Sequence, residues 1–266
     1  MPDVRPTPID WQRPWLLPFI LAAAGIDAGS PDWVDRLNQT AGRRGLVNIR
    51  GLPLQFVAQE QLVADEAYES FIDRSGCIPT RHNLHDYFNA LAWLTYPEAK
   101  RALNGIQAAE LSGQPGFAVA DRGRRGKTRD RATIFDENAA VLLCADATFE
   151  SALRAHDWQA CFLAHDRDNP GYEVRLFGHA LLEKLVTPYK AITAHVWVLP
   201  VDAGFFALPE ADRRAGLDAL LCAGLQQGLL ARSPTPLPVL GIPGWWPQQD
   251  AAFYADETVF RKKPVR

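Results

Sequence analysis

Residues 84–96 carry the strongest helix pattern in the sequence. Apolar side chains recur there at helical spacing and form one broad stripe: Leu84, Tyr87, Phe88, Leu91, Leu94 and Thr95. Asn83 is placed to cap the helix N-terminus, and Pro97 disturbs the far end, beyond which a helix can resume from Lys100 to Leu111. Because a stripe this wide has to be covered, the chain must build a core around this helix.

The rest of the sequence mixes helix and strand patterns without a regular strand–helix–strand alternation. This predicts an α+β fold, a single mostly helical domain around a small mixed or antiparallel sheet. Helices are predicted at 31–42 (with Ser30 as N-cap and Pro31 in the first turn), 64–74, 149–156, 179–186 and 209–230. Extended segments are predicted within 45–57 and at 139–145, 173–177 and 194–201. Residues 112–132 are predicted to form a loop, and the Trp-rich tail after Ser233 to wrap over the surface.

Length and charge limit the classes of protein that need to be considered. The chain has 266 residues, of which 47% are hydrophobic and 22% charged, as in ordinary globular proteins. We predict one domain over residues 1–266, with helices from 14–44 packed on the remainder. The formal net charge of −3 excludes a globally basic nucleic-acid coat but leaves room for a local basic patch.

The cysteines and the N-terminal apolar stretch predict a cytoplasmic protein. No two of the four cysteines are closer than 17 residues, so there is no metal knuckle or redox pair, and buried free thiols are expected. The apolar stretch 16–26 contains Pro18 and is shorter than the ~20 residues needed to span a membrane. A signal peptide is disfavoured because acidic and basic residues balance in the preceding segment.

A first group of polar residues lies at the start of the strongly patterned helix. His82, His85 and Asn89 follow the spacing i, i+3 and i+7, so their side chains can share a face, and Asp86 lies beside it. His85 can act as a base or metal ligand, with Asp86 orienting its ring, and Arg81 can contact a substrate. The alternative is a hydrogen-bonded polar seam between helix and loop.

Two further groups lie in the middle of the chain. Asp136 and Asn138, at the edge of an apolar strand, offer oxygen ligands for Mg²⁺ or Ca²⁺, although the same residues also fit a turn with a helix N-cap. The basic run 122–131 can attract phosphate, with Arg129 and Arg131 neutralising it, but it also fits a solvated loop.

The last group is the segment 178–184. His179 and Glu183 stand at i and i+4 of a helix, where two side chains can share a metal ion or a proton, and Lys184 follows as a candidate substrate contact. An ordinary surface hydrogen bond is the alternative. The sequence has no GxSxG, Walker, GxGxxG or HExxH motif, which removes the standard α/β-hydrolase, P-loop, Rossmann and zincin classes from consideration.

Four sequence blocks together resemble the bacterial family called domain of unknown function 3025. They are RHNLHDYFNALAWLTYPEAKRALN (81–104), RDRATIFDENAAVLL (129–143), GHALLEK (178–184) and LGIPGWWP (240–247). The resemblance covers residues of about 45–261 and implies a single bacterial domain, but no reaction. In that family the Asp-Glu-Asn block is usually followed by glycine, where this chain has Ala139.

These groups lead to one functional hypothesis and one alternative. The hypothesis is a metal-assisted hydrolase acting on a phosphate-bearing or phosphodiester substrate, with a divalent metal ion as cofactor. The expected catalytic residues are His85, Asp86, Asn89, His179 and Glu183; the expected substrate contacts are Arg81, Arg129, Arg131 and Lys184; and the expected metal ligands are Asp136 and Asn138. The alternative is a non-enzymatic binding or scaffold module in which the same groups form a structural polar network.

Overall fold

The computed structural model describes residues 8–112, 125–163 and 171–263, and these form a mostly helical α+β structure. The α-helices are α1 Ile20–Ala23, α2 Trp33–Arg43, α3 Tyr68–Ser75, α4 Leu84–Thr95, α5 Pro97–Ser112, α6 Arg125–Asn138, α7 Ala147–Ala155, α8 Trp158–Phe162, α9 His179–Lys184, α10 Glu210–Gln226 and α11 Ala251–Tyr254. Short 3-10 helices occur at Pro14–Phe19, Gln59–Gln61, Ala203–Ala207, Leu229–Ala231 and Val239–Gly241. The predicted fold class is confirmed.

The strands form two sheets. They are β1 Gln55–Ala58, β2 Cys77–Thr80, β3 Ala139–Cys144, β4 Tyr172–Leu176, β5 Thr193–Pro200 and β6 Thr235–Pro238. Strands β1 and β2 pair in parallel, and the larger sheet has the order β4-β3-β5-β6. It is mixed, because β3 and β5 are parallel while the two outer pairs are antiparallel. Every residue of β3 is buried, as expected for a continuous apolar strand covered on both faces.

Helix α4 lies inside the core, and the N-terminal segment packs on it. Asn83 accepts a hydrogen bond from the backbone N–H of Asp86 and so caps α4 as predicted. The ring of Trp33 meets Tyr87 edge-on at 5.5 Å between centroids, and Phe19 meets Tyr96 in the same way at 5.9 Å. The buried side chains of these segments belong to one continuous hydrophobic cluster with the rest of the core.

The largest difference from the sequence prediction is α6. The segment 112–132 was expected to be a loop, but α5 continues to Ser112 and residues 125–132 are helical; residues 113–124 lie outside the described part. Ala132 and Phe135, three residues apart, are completely buried, and Phe135 packs against the rings of Phe177 and Trp197. Tertiary burial of this narrow stripe stabilises a helix whose remaining residues are mostly polar.

Smaller differences concern element boundaries and two strands. Helix α2 begins at Trp33, because the Ser30 hydroxyl bonds the side chain of Asp32 and does not cap the helix. Helix α3 begins at Tyr68, four residues later than predicted, and it ends as predicted at Gly76, which adopts a left-handed conformation (φ 74°). Strands β2 and β6 were not predicted.

Two expectations about the chain's environment can be compared with the described residues. Among them, no helix combines the length and the apolar character that crossing a membrane requires. All four cysteines are free thiols; Cys144, Cys161 and Cys222 are buried, as predicted from their apolar neighbours, and Cys77 is partly buried.

The carboxylate of Asp218 on α10 positions the start of α5. It accepts hydrogen bonds from the backbone N–H groups of Glu98 (3.0 Å) and Ala99 (2.9 Å), which would otherwise be unpaired at the helix N-terminus. Burial raises the pKa of Asp218 from its ordinary value of 3.8 to about 6, against the lowering effect of these two hydrogen bonds. The folded protein therefore binds this proton more tightly than the unfolded chain does.

We expect Asp218→Asn to lower the free energy of unfolding by about 1–3 kcal/mol at pH 4, because the amide nitrogen cannot accept a hydrogen bond from an N–H group, whereas both oxygens of the protonated carboxyl still can. The stabilising effect of the raised pKa is present below pH 4 and is lost as the pH rises through 6, so the difference between wild type and variant should shrink toward pH 7. Urea unfolding at pH 4, 5, 6 and 7 measures it. Leu220→Ala, on the exposed side of the same helix, is the control; a difference that widens with pH would contradict the raised pKa.

Candidate metal centre

Three helix ends bring two histidines and a glutamate together. His85 lies in the first turn of α4, Glu137 in the last turn of α6, and His179 is the first residue of α9. The Nε2 atoms of the two histidines are 3.0 Å apart. Oε2 of Glu137 lies 3.4 Å from Nε2 of His179 and 4.0 Å from Nε2 of His85. The three ligand-type atoms therefore form a small triangle.

The size of this triangle matches a single metal ion. A circle through the three atoms has a radius of about 2 Å, close to the roughly 2.0–2.2 Å at which zinc binds imidazole nitrogen and carboxylate oxygen. No other group of three or more His, Cys, Asp or Glu side chains in the described ranges converges in this way. The cluster is the candidate metal centre.

The other nitrogen of each histidine ring faces a second carboxylate. Nδ1 of His85 lies 3.0 Å from Oε2 of Glu183, and Nδ1 of His179 lies 4.0 Å from Oδ1 of Asp136. Nδ1 of His179 is buried and has no hydrogen-bond partner among the described residues. Histidines that bind a metal through one ring nitrogen commonly direct the other toward a carboxylate, which fixes the ring and makes it a stronger ligand. The ring of His85 has this arrangement, whereas Nδ1 of His179 only has a carboxylate nearby, at 4.0 Å.

Burial and nearby charges set the protonation of the cluster. Burial lowers the pKa of His179 to about 4, although Asp136 opposes the shift, so this imidazole is neutral at pH 7 and its lone pair is free for a ligand. Burial and the neighbouring Asp136 carboxylate raise the pKa of Glu137 above its usual range. Burial would also raise the pKa of Asp136, but Lys100 and His179 outweigh it and hold that pKa below its ordinary value.

A buried lysine on α5 forms hydrogen bonds with residues next to the cluster. The ammonium group of Lys100 donates to Oδ1 of Asp136 (2.5 Å) and to Oδ1 of Asn89 (2.8 Å), and only 4% of its side chain is exposed. Asn89 in turn donates to the hydroxyl of Tyr68 at 2.9 Å. This chain of hydrogen bonds connects α3, α4, α5 and α6 beneath the histidines.

A pocket of about 330 Å³ opens onto the metal centre. His85, His179 and Glu137 line it together with Arg81, Asp86 and Thr133. Arg81 forms a two-point ion pair with Asp86, through Nε to Oδ2 (3.0 Å) and a terminal nitrogen to Oδ1 (2.9 Å). Because 58% of the Arg81 side chain is exposed, the guanidinium also reaches the solvent side of the pocket.

Gly178 allows His179 to approach Glu137 closely. A side-chain carbon added at Gly178 would lie 2.5–2.6 Å from the backbone of residues 137–139, so only glycine fits where α9 starts against the end of α6. Ala139 does not adopt a positive φ, so its backbone conformation does not require glycine. In this chain the close approach of the two backbones therefore depends on Gly178.

The structure brings most of the predicted site residues to this pocket. His85, Asp86, Asn89, His179, Glu183, Arg81 and Asp136 lie in or next to it. Their partners differ from the sequence interpretation: Glu183, and not Asp86, faces the ring of His85, and His82 leaves the helix face to accept a hydrogen bond from Trp33. Asp136 contacts Lys100 and lies behind His179.

Four predicted site residues lie away from the three-atom cluster. Asn138 donates to the carbonyl of Thr193 and contacts His195, so the structure does not bring it together with Asp136 as a second oxygen ligand. Arg131 donates to the carbonyls of Leu230 and Ala231. Arg129 and Lys184 are exposed on the surfaces of their helices. Of the basic run 122–131, residues 122–124 lie outside the described part.

The sequence interpretation missed Glu137, Lys100 and Tyr68. Glu137 belongs to the Asp-Glu-Asn block that the sequence analysis considered. If this block had been interpreted as the end of a helix, its three side chains would have been expected to point in different directions. Lys100 lies on the next helix along the chain, 11 residues after Asn89, and its neighbours Glu98 and Arg101 are charged, so no local pattern marked it as buried.

Comparison with known proteins adds a family but no activity. Residues 54–264 match the model of a family described as "Protein of unknown function (DUF3025)". The chain belongs to the DUF3025 family. This confirms the resemblance stated from the four sequence blocks, and three of these blocks supply the candidate metal centre of this DUF3025 chain. No curated protein and no solved structure matches the chain.

We expect Lys100→Met to lower the free energy of unfolding by about 3–5 kcal/mol, because it leaves the buried Asp136 carboxylate without its cation. Adding Asp136→Asn to Lys100→Met should recover part of this loss, since the remaining buried group is neutral. Denaturant unfolding in the presence of a chelator measures both. The exposed Lys184→Met should stay within about 0.5 kcal/mol of wild type. A double variant that loses the sum of the two single losses would show that the two groups do not interact.

Proposed function

We propose that this protein is a metal-dependent hydrolase acting on a phosphate-bearing substrate, with His85, Glu137 and His179 as the metal ligands. The observation that carries the proposal is the convergence of two imidazole nitrogens and one carboxylate oxygen at the wall of an open pocket. Two histidines and one glutamate are a ligand set of catalytic zinc sites, which keep one position open for water or substrate. A metal ion bound there would supply a hydroxide nucleophile near neutral pH.

The residues around the three ligands have distinct proposed roles. Glu183 positions His85 through a hydrogen bond at Nδ1, and Asp136 lies 4.0 Å from Nδ1 of His179, so both would act through the ligands. Asp86 holds the guanidinium of Arg81 at the pocket wall, and Asn89 fixes Lys100 beneath it. These contacts keep the ligand atoms in place without occupying the side of the triangle that faces the pocket.

The arginines support a phosphate-bearing substrate. Arg81 lines the pocket and presents a planar donor that suits phosphate. Arg129 lies four residues before the pocket residue Thr133, on the same face of α6 and one turn farther out. We assign these two residues to the substrate, and Lys184 to its outer part. The backbone carbonyls bound by Arg131 give that residue a structural role instead. The four free cysteines support a reducing compartment, and we propose the cytoplasm.

One observation favours the non-enzymatic alternative. The chain formed by Tyr68, Asn89, Lys100 and Asp136 is internally hydrogen-bonded, as a purely structural polar network would be. The two proposed functions give different roles to His85 and Glu137. The side chains of these residues are 30% and 40% exposed, and the hydrogen-bonded chain is complete without them. Metal binding by these residues therefore separates the alternatives.

We expect the chelator-treated protein to bind one Zn²⁺ or Co²⁺ per chain, with visible Co²⁺ absorption typical of low coordination number. Glu137→Gln and His179→Ala should each weaken binding at least 100-fold in a metal titration, since each removes one of three ligands. His82→Ala, an exposed histidine nearby in sequence, is the matched control. Stoichiometric binding that survives all site variants would contradict the assignment.

A thermal melt series completes this test. His85→Ala should melt near wild type in the absence of metal, because the side chain lies partly exposed in the pocket. Leu91→Ala should cost about 2–5 kcal/mol, because Leu91 is completely buried in α4. If His85→Ala were as unstable as Leu91→Ala, the histidine would be a structural residue and the alternative would hold.

We expect the zinc-loaded protein to hydrolyse bis(4-nitrophenyl) phosphate, and Arg81→Ala to raise KM more than it lowers kcat, because Arg81 binds the phosphate and not the metal. Asp86→Asn should act in the same direction by releasing Arg81. The esterase substrate 4-nitrophenyl acetate tests the substrate class. Hydrolysis of the acetate alone, with no effect of Arg81→Ala, would leave the metal centre in place and refute the phosphate assignment.

A further inference from the structure

Three polar residues of α5 form a buried stripe that begins beside the metal centre. Lys100, Asn104 and Gln107 follow the spacing i, i+4 and i+7, so their side chains lie along one face of the helix. They are only 3%, 4% and 5% exposed. Lys100 is paired with Asp136. The other two residues have no such ion pair, and buried polar side chains normally have hydrogen-bond partners, so their burial needs its own explanation.

The amide groups of Gln107 and Asn104 are not fully hydrogen-bonded. Gln107 lines the pocket of the metal centre, and its side chain has no hydrogen bond to any of the described residues. Asn104 donates from its side-chain nitrogen to the carbonyl of Glu69 at 3.1 Å, but its Oδ1 is buried and has no partner among the same residues. A free amide and a free acceptor, one turn apart on the same helix face, indicate a binding site for a polar group.

A narrow recess adjoins the pocket at this point. Asn104 and Gln107 line the recess, and Tyr68, Glu69, Gln107 and Asp136 line both the recess and the pocket. The volume of the recess, about 10 Å³, is close to the smallest space that holds a water molecule. A single hydroxyl group has this size, whereas a phosphate group or an aromatic ring is too large.

The charges around the recess favour a neutral group. Lys100 lines it from α5, and Glu69 lines it from α3. An ammonium group in the recess would lie against Lys100 and a carboxylate against Glu69, so like charges disfavour both. A hydroxyl group suits the wall, because it can donate to Oδ1 of Asn104 and accept from the amide of Gln107.

We propose that this recess is a hydroxyl-binding subsite and that the substrate is the phosphate ester of a polyhydroxylated alcohol. The proposal rests on the proposed function, in which the phosphate group lies at the metal ion and Arg81. The alcohol part extends toward α5, where one hydroxyl enters the recess between Gln107 and Asn104 and a neighbouring hydroxyl donates to Glu69. Gln107 is the specificity-determining residue, because its amide has no other partner in the described part of the chain.

The test compares esters with and without hydroxyl groups on the zinc-loaded protein. The phosphates of glycerol, erythritol and ribitol are paired with propyl, butyl and pentyl phosphate, which have the same numbers of carbon atoms and no free hydroxyl. Measured by phosphate release, kcat/KM of the best polyol ester should exceed that of its alkyl partner by about tenfold or more, since a site that binds a hydroxyl discriminates against an analogue without it. Gln107→Leu should abolish this preference and leave hydrolysis of bis(4-nitrophenyl) phosphate unchanged.

Thermal melting separates a specificity role of Gln107 from a structural one. Because the amide has no partner among the described residues, Gln107→Leu should melt at or above the wild-type temperature. Gln226→Leu, on the exposed side of α10, is the matched control. A Gln107→Leu protein that melts below both and keeps the wild-type ester preference would identify Gln107 as a structural residue and overturn the proposal.

Calorimetric titration with the same esters distinguishes a failure of the subsite from a failure of the proposed function. If bis(4-nitrophenyl) phosphate is hydrolysed but polyol and alkyl phosphates react and bind alike, the subsite is overturned and the hydrolase stands. If no ester is hydrolysed but polyol phosphates bind more tightly and Gln107→Leu removes the difference, the subsite stands and the hydrolase is refuted. Equal binding without hydrolysis would overturn both.

Discussion

The buried ammonium group of Lys100 determines how the helices of the site meet. A buried charge is costly unless it is paired, and Lys100 meets this requirement with one group from α4 and one from α6, Asn89 and Asp136. The N-terminus of its own helix, α5, is held by backbone hydrogen bonds to the carboxylate of Asp218 on α10. The three helices are thus held by directional contacts in addition to apolar packing. The last turn of α6 is fixed as a result, and this turn carries Glu137 to the histidines.

The end of α6 explains why the Asp-Glu-Asn block was only partly understood from its sequence. Successive residues of a helix are rotated by about 100°, so three adjacent polar residues point in three directions. Asp136 reaches Lys100 inside the protein, Glu137 reaches the histidine pair, and Asn138 reaches His195 on β5. Treated as a strand edge or turn, the same block offers Asp136 and Asn138 as neighbouring ligands and leaves Glu137 unused. The sequence interpretation therefore paired Asp136 with Asn138, two residues that the end of a helix directs to different partners.

Features of the sequence that depend on local interactions were predictable. The cap at Asn83, the break at Pro97, the apolar run of β3 and the helix after Gly178 all follow from short-range rules, and the i, i+4 spacing of His179 and Glu183 placed both near one helix face. Features that depend on distant partners were not. Helix α6 owes its stability to the burial of Phe135 against β5 and the segment after β4, and β6 alternates proline with residues that bond β5. Neither contact leaves a periodic pattern in the segment itself.

The balance of charge around the pocket bears on the proposed metal and substrate. Asp86 is paired with Arg81 and Asp136 with Lys100, which leaves Glu137 and Glu183 with only histidine partners among the described residues. Neutral His179 does not compensate them, so without a cation the pocket repels an anion. A divalent ion at the histidines would balance the two carboxylates, and the exposed Arg81 guanidinium would remain at the pocket wall as a hydrogen-bond donor. Under the proposed function, a phosphate group would then be attracted only with the metal in place, so the ion would bind before the anionic substrate.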